Sequence, residues 1–133
     1  MEILPFGKEG SPVGLFRCPL CASPLERGER TYRCPRGHSF DRAREGYVHL
    51  LPANQKHARE PGDDKAMAAA RSRFLDGGWY APLREELCHL ALASAPEAPA
   101  VLDAGCGEGF YTAGVFQALQ AGRGDVRMAG VDL

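Results

Sequence analysis

The sequence predicts an α/β protein in which a small β module precedes the beginning of a Rossmann-like parallel sheet. The first observation is that residues 15–51 consist of short strand-like pieces broken by Pro and Gly. The second is that residues 100–133 run as an apolar strand, a Gly-rich turn, a helix and another apolar strand. That order is typical of a right-handed βαβ unit, so the second region is predicted to start a parallel sheet.

Composition excludes several classes of protein. The chain has 133 residues, of which 44% are hydrophobic and 25% charged, and its formal net charge is −1. It is neither collagen-like nor compositionally disordered, and it lacks the run of about 18 apolar residues that a membrane span needs, so no membrane partner is expected. Five cysteines make a poor disulfide framework and the charged N-terminus does not resemble a signal peptide, so a cytoplasmic location is expected.

Four regions are expected along the chain. Residues 1–14 are rich in Gly and Pro and are predicted to be a loose lead-in, and residues 15–51 form the β module. Residues 52–62 are polar and end in a Pro-Gly pair, which indicates a linker. Residues 63–133 remain for a sheet domain that usually requires about 100 residues or more, so this domain is expected to be incomplete and the edge of its last strand unpaired.

Two helices are predicted between the linker and the first strand of the parallel sheet. The first is capped by Asp63 or Asp64 and stopped by a Gly-Gly pair. The second starts near Trp79 and is stopped by Pro96. Both place apolar residues at helical spacing, so both are expected to pack against the sheet.

Three cysteines and a histidine in the β module have the spacing of a structural zinc site. They are Cys18, Cys21, Cys34 and His38, in the pattern Cys-x2-Cys-x12-Cys-x3-His. Two thiolates separated by two residues can reach one ion from a tight turn, and a hairpin can return the second pair to complete a tetrahedron. Four protein ligands leave no position for water, so the site is predicted to be structural and the module zinc-ribbon-like. The alternative is a set of buried cysteines with an unrelated histidine nearby.

The same module concentrates positive charge. Seven of the thirteen arginines lie between Arg17 and Arg44, together with three acidic residues. Because arginine pairs with phosphate through two parallel hydrogen bonds and stacks on bases, we interpret this region as a surface for RNA or DNA. The alternative is a solvated arginine-rich surface.

The Gly-rich turn follows the first strand of the parallel sheet directly. Its sequence is Asp103-Ala-Gly105-Cys-Gly107-Glu-Gly109. Phe110 stands where a dinucleotide fingerprint has its third glycine, which disfavours a bound pyrophosphate and hence an NAD-dependent enzyme. The glycines allow close approach of a ligand, Asp103 can face an amino group, and Asp132 ends the next strand, where an acid can bind both ribose hydroxyls. These features favour S-adenosylmethionine; the alternative for Asp132 is an ordinary loop carboxylate.

In combination these motifs resemble the zinc-containing 23S rRNA guanine-N1-methyltransferases, over nearly the whole chain from Phe16 onward. The residues that carry the resemblance are Cys18-Pro-Leu-Cys21, Tyr32-Arg-Cys34-Pro-Arg-Gly-His38, Glu45-Gly-Tyr-Val-His-Leu-Leu-Pro52, Arg73-Phe-Leu-Asp-Gly-Gly-Trp-Tyr80 and Leu102-Asp-Ala-Gly-Cys-Gly-Glu-Gly-Phe-Tyr-Thr112. Motifs in this order are specific to the family, whereas the Gly-rich turn alone indicates only a class I methyltransferase. The chain is expected to be the N-terminal half of such an enzyme.

The resemblance implies that Cys18, Cys21, Cys34 and His38 bind zinc and that the zinc module helps to recognise a 23S rRNA hairpin. It also implies that Tyr80, Gly107 and Glu108 contact S-adenosylmethionine, although from the residues alone Tyr80 is interpreted as aromatic core. The implied activity is methyl transfer to N1 of an unpaired or flipped guanine. No catalytic base is assigned, and a homodimer is kept open. The competing hypothesis is a partial, inactive zinc-dependent RNA-binding fragment.

Overall fold

A computed structural model describes residues 2–6, 15–51 and 65–132, with the first of these ranges described by its backbone. The strands are β1 (Glu2–Phe6), β2 (Glu26–Arg27), β3 (Thr31–Arg33), β4 (Ser39–Asp41), β5 (Val48–His49), β6 (Ala100–Ala104) and β7 (Arg127–Asp132). The helices are α1 (Lys65–Asp76), α2 (Ala81–Ser94) and α3 (Phe110–Gly122). The predicted linker and the capping residues Asp63 and Asp64 lie outside the described residues.

The β module is a three-stranded antiparallel sheet in the order β2-β3-β4. Tyr32 on the central strand stands opposite Phe40 and Arg27, and its buried ring meets the ring of Phe16 edge to face at 5.9 Å. The short strand-like pieces predicted in residues 15–51 thus include β3. Strand β4, three residues long, pairs with β3 from Thr31 opposite Asp41 to Arg33 opposite Ser39.

The second sheet has the order β5-β1-β7-β6 and contains the predicted βαβ unit. Strands β6 and β7 are parallel, with Asp103 beside Gly130 and Ala104 beside Val131. Helix α3 connects them, so the predicted strand, turn, helix and strand are confirmed in that order. The turn therefore lies at the carboxyl ends of two neighbouring parallel strands, where ligands of open α/β sheets bind.

Two predictions, one about the N-terminal region and one about the edge of β7, were wrong. Residues 2–6 of the expected loose lead-in form β1, which runs antiparallel to both β5 and β7. The outer edge of β7 was expected to be unpaired, but β1 pairs along it from Glu2 opposite Asp132 to Phe6 opposite Met128. An open strand edge presents unpaired N–H and C=O groups, and β1 satisfies them here.

The helices also differ from their prediction, because α1 and α2 have no buried residues. Met67 and Phe74 of α1 and Leu83 and Leu90 of α2 are 47–55% exposed. Helix α2 packs mainly beside α3. None of the helices in the described ranges has the length and apolar character that crossing a bilayer requires.

The β module and the second sheet share one hydrophobic core. Phe16, Leu25 and Tyr32 from the module are buried in the same cluster as Ala129 of β7, and Val131 packs against it. A neighbouring cavity of about 340 Å³ is lined by residues of both parts, all of them apolar except Arg17. The metal ligands and the Gly-rich turn are thus connected through packed side chains.

Candidate functional site

The four predicted metal ligands converge on one point. The Sγ and Nδ1 atoms of Cys18, Cys21, Cys34 and His38 all lie within 4.8 Å of one another. The Sγ atoms of Cys21 and Cys34 are 3.7 Å apart, and His38 Nδ1 lies 3.4 Å from Cys34 Sγ and 3.5 Å from Cys18 Sγ. A tetrahedral zinc ion requires about 3.8 Å between two sulfurs and about 3.6 Å between sulfur and nitrogen. The geometry and the donor set therefore fit zinc held by the Nδ1 atom of His38.

Tight turns position the ligands. The Ala22 N–H donates to the Cys18 carbonyl at 2.8 Å, and Ala22 has φ of 56°. On the other side the Gly37 N–H donates to the Cys34 carbonyl at 2.9 Å, and Gly37 has φ of 85°, which favours glycine. The two pairs of ligands thus each come from one turn, as the spacing predicted.

The thiols of the site differ in acidity. A hydrogen bond from the Ser23 side chain lowers the pKa of Cys21 to about 6, so this thiol is ionised at neutral pH. Burial raises the pKa of Cys18, whose side chain is 2% exposed. A dication removes this penalty, because it stabilises thiolates that burial destabilises.

The Gly-rich turn adopts a conformation that requires its glycines. Gly105, Gly107 and Gly109 have φ of 87°, 55° and 87°, a region that side-chain-bearing residues rarely occupy. At Gly105 a Cβ atom would meet nothing within 4 Å, so the need for glycine there is conformational. The backbone is open to a ligand at this residue.

The two acidic residues at the strand ends hold the turn and the helix that follows it. The Gly107 N–H donates to Asp132 Oδ2 in a short hydrogen bond. Asp103 Oδ2 accepts a hydrogen bond from the Thr112 hydroxyl at 2.6 Å. The structure therefore brings Asp103, the turn and Asp132 together at one edge of the sheet, with both carboxylates half-buried.

Glu108 and Tyr80, which the resemblance assigned to the cofactor, are both contacted by α1. The Ser72 hydroxyl donates to Glu108 Oε2 in a short hydrogen bond. Phe74, two residues further on, meets the Tyr80 ring edge to face at 5.6 Å. Tyr80 is 42% exposed, so it is not the core residue that the sequence alone indicated.

Sequence reasoning did not single out Arg84 at this site. Its guanidinium lies 4.7 Å from the centre of the Phe110 ring, directly after the turn. A signal was available, because Arg84 follows Tyr80 by four residues and so lies on the same face of α2.

Most of the arginines of the β module are exposed. Arg17, Arg27, Arg30, Arg33, Arg36 and Arg44 are exposed, and Arg42 is half-buried. The guanidinium groups of Arg33, Arg36 and Arg44 have no ion pair or hydrogen bond with any residue that the structure describes. The predicted concentration of positive charge therefore lies on the surface of the module.

Comparison with known proteins finds one matching family and several similar proteins. The zinc-ribbon family described as "RlmA, N-terminal" matches residues 16–59. A Streptomyces fradiae protein named 23S rRNA (guanine(748)-N(1))-methyltransferase is 44% identical over 114 residues, covering 84% of this chain. The chain is thus similar in sequence to proteins named 23S rRNA guanine-N1-methyltransferases. Putative 23S rRNA (guanine-N(1)-)-methyltransferases of Micromonospora griseorubida and Bacillus subtilis are 38% and 36% identical over 78% and 73% of the chain.

The chain spans 40%, 40% and 35% of the lengths of those three relatives. The matches extend well beyond the zinc ribbon, since the ribbon family ends at residue 59. The predicted resemblance to this family is confirmed.

Proposed function

We propose that this chain is part of an enzyme that transfers a methyl group from S-adenosylmethionine to N1 of a guanine in a 23S rRNA hairpin. The observation that carries the proposal is the Gly107 N–H bond to Asp132, which joins a Gly-rich turn to an acid at the end of the neighbouring parallel strand. This is the arrangement in which an open α/β sheet binds a nucleoside. The names of the homologous proteins support the reaction and the RNA.

The roles proposed for the turn follow from its charges and its backbone. Gly105, Gly107 and Gly109 let the ligand approach the main chain, and Asp132 accepts hydrogen bonds from its ribose hydroxyls. Asp103, held by Thr112, faces the amino group of the methionine portion. When bound, S-adenosylmethionine supplies a methyl group already activated by its sulfonium.

Tyr80 and Glu108 are proposed to complete this cofactor site from its open side. Tyr80 is partly exposed beside Phe74, so its ring can cover a bound ligand. Glu108 is exposed and uses Oε2 to hold Ser72, and its Oε1 atom has no partner among the described residues. Both residues therefore fit a site that α1 helps to close.

The zinc ribbon is proposed to recognise the RNA. The zinc ion is held by Cys18, Cys21, Cys34 and His38 and has a structural role, because four protein ligands leave no position for a reacting water. The exposed guanidinium groups of the ribbon fit the phosphates of a hairpin. We also propose that the protein forms a homodimer. Its proposed location is the cytoplasm, where ribosomal RNA is found.

Methyl transfer and binding of S-adenosylmethionine can be tested separately. Incubating the protein with S-adenosylmethionine and a 23S rRNA hairpin should produce N1-methylguanine, which stops reverse transcription because N1 lies on the Watson-Crick edge. Calorimetry without RNA should show binding of S-adenosylmethionine. Asp132→Asn should reduce this affinity by about tenfold, since it removes charge-assisted hydrogen bonds. Asp125→Asn, an exposed acid in the loop before β7, is the matched control.

The outcomes separate enzyme from RNA-binding fragment. Cofactor binding and a methylated hairpin support the enzyme. RNA binding by a folded, zinc-loaded chain that takes up no S-adenosylmethionine would instead identify a partial RNA-binding module. Methylation at a position other than guanine N1 would contradict the proposed target.

A further inference from the structure

Arg84 of α2 places a positive charge beside the start of α3, directly after the Gly-rich turn. Its guanidinium lies over the ring of Phe110, the first residue of α3, at 4.7 Å. Its side chain is half-buried. No carboxylate of the described residues forms an ion pair with it, and no hydrogen bond of its guanidinium is found there either. A partly desolvated cation without a partner is costly unless an anion binds beside it.

The packing of Arg84 on α3 is specific. A Cβ atom at Gly114 would lie 2.8 Å from Arg84 Cδ and 3.0 Å from its Cγ. The absence of a side chain at Gly114 therefore lets the aliphatic part of Arg84 lie against α3. This contact and the Phe110 ring together hold the guanidinium near the start of the helix.

The surroundings favour a zwitterion. Asp103 reaches the first turn of α3 through Thr112, and Arg84 reaches the same part of the helix through Phe110 and Gly114. An anion and a cation thus border the N-terminal end of α3, whose unpaired N–H groups also favour a negative charge. An α-amino acid group carries both charges that these two residues complement.

We propose that Arg84 binds the α-carboxylate of the methionine portion of S-adenosylmethionine, opposite the amino group that faces Asp103. This inference rests on the proposed function and adds a residue to its cofactor site. Arginine suits the task because its planar fork donates two parallel hydrogen bonds to a carboxylate.

The test compares two ligands that differ by the carboxylate alone. Calorimetry with S-adenosylmethionine and with decarboxylated S-adenosylmethionine should show that the wild-type protein prefers the first by about tenfold or more, the range of charge-assisted hydrogen bonds. Arg84→Ala should bind both ligands with the same affinity. Arg84→Lys should retain a small preference, because it keeps the charge and loses the fork. Arg127→Ala, at the opposite end of β7, should behave as wild type.

Gly114→Ala separates positioning from folding. The new methyl group displaces the Arg84 side chain, while alanine is the better helix former. Its melting temperature should therefore be unchanged or higher while its preference for the carboxylated ligand falls. This variant also decides the matter if Arg84→Ala does not fold.

The possible failures are distinguishable. A wild-type protein that binds neither ligand contradicts the proposed function and this inference with it. A wild-type protein that binds both ligands equally, or an Arg84→Ala protein that keeps the full preference, overturns the role of Arg84 and leaves the proposed cofactor in place.

Discussion

The carbonyl oxygen of Val131 accepts the N–H of Gly105 at 2.8 Å, so the end of strand β7 holds the beginning of the Gly-rich turn. The same oxygen accepts the Cys106 N–H at 3.1 Å. The Val131 side chain packs against the hydrophobic cluster that contains the metal ligands Cys18 and Cys34. One residue therefore connects the core of the zinc ribbon to the backbone of the turn.

This connection predicts that removing zinc loosens the Gly-rich turn. Chelation should unfold the ribbon core that supports Val131, and the Gly105 and Cys106 amides should then exchange hydrogen about tenfold faster, as expected for a loss of about 1.4 kcal/mol in local stability. Hydrogen exchange with and without chelator measures this effect. The amides at the C-terminal end of α2, which lie away from Val131, provide the internal control. Unchanged exchange at the turn after complete loss of zinc would disprove the connection.

Substituting one thiolate should abolish metal binding. Cys34→Ser replaces a thiolate by a hydroxyl that zinc binds poorly, so the zinc content measured by atomic emission should fall from one ion per chain to almost none. Cys88→Ser is the matched control, because Cys88 lies on α2 outside the cluster. The four-ligand assignment fails if Cys34→Ser retains stoichiometric zinc.

A methyl group added at Gly130 of β7 should collide with Cys106 of the Gly-rich turn. Its Cβ would lie 2.7 Å from Cys106 Sγ and 2.9 Å from Cys106 Cβ. We expect Gly130→Ala to lower the free energy of unfolding by about 1–3 kcal/mol, the usual range for overpacking. Gly124→Ala is the control, since its Cβ would meet its nearest neighbour, the Glu97 carbonyl oxygen, at an ordinary 3.5 Å. Equal stability of the two variants in urea titrations would contradict the close packing of Cys106 on β7.

The ribbon arginines should determine the salt dependence of RNA binding. Each phosphate contact contributes about −0.7 to −0.9 to the slope of log affinity against log salt, so the double variant Arg33→Ala/Arg36→Ala should make the slope shallower by about 1.5. Filter binding with a hairpin at several salt concentrations measures this slope. Arg127→Ala removes the same type of charge from the start of β7 and should leave the slope unchanged. If the ribbon variant also leaves it unchanged, the RNA contacts another surface.

Features that depend on short sequence distances were predictable. The Cys-x2-Cys and Cys-x3-His pairs each fold into one turn, and the three glycines of the turn each adopt positive φ. The helix ends at Asp76 and Gly122 likewise follow from local Gly signals. In each case the conformation is fixed by neighbours within a few residues.

Features that depend on pairing between distant segments could not be predicted from the sequence. Strand β1 pairs with β7 more than 120 residues away in sequence, and no local pattern in residues 1–14 indicated this partner. The position of Arg84 over Phe110 depends on which faces α2 and α3 present to each other.

The sequence by itself thus determined the metal ligands, the Gly-rich turn and the strand, turn, helix and strand of residues 100–132, because spacing and backbone preference act locally. Only the tertiary structure decided that Val131 supports the turn, that β1 closes the sheet edge and that Arg84 faces α3. Those relationships depend on burial and hydrogen bonding between distant segments, which the packed chain alone specifies.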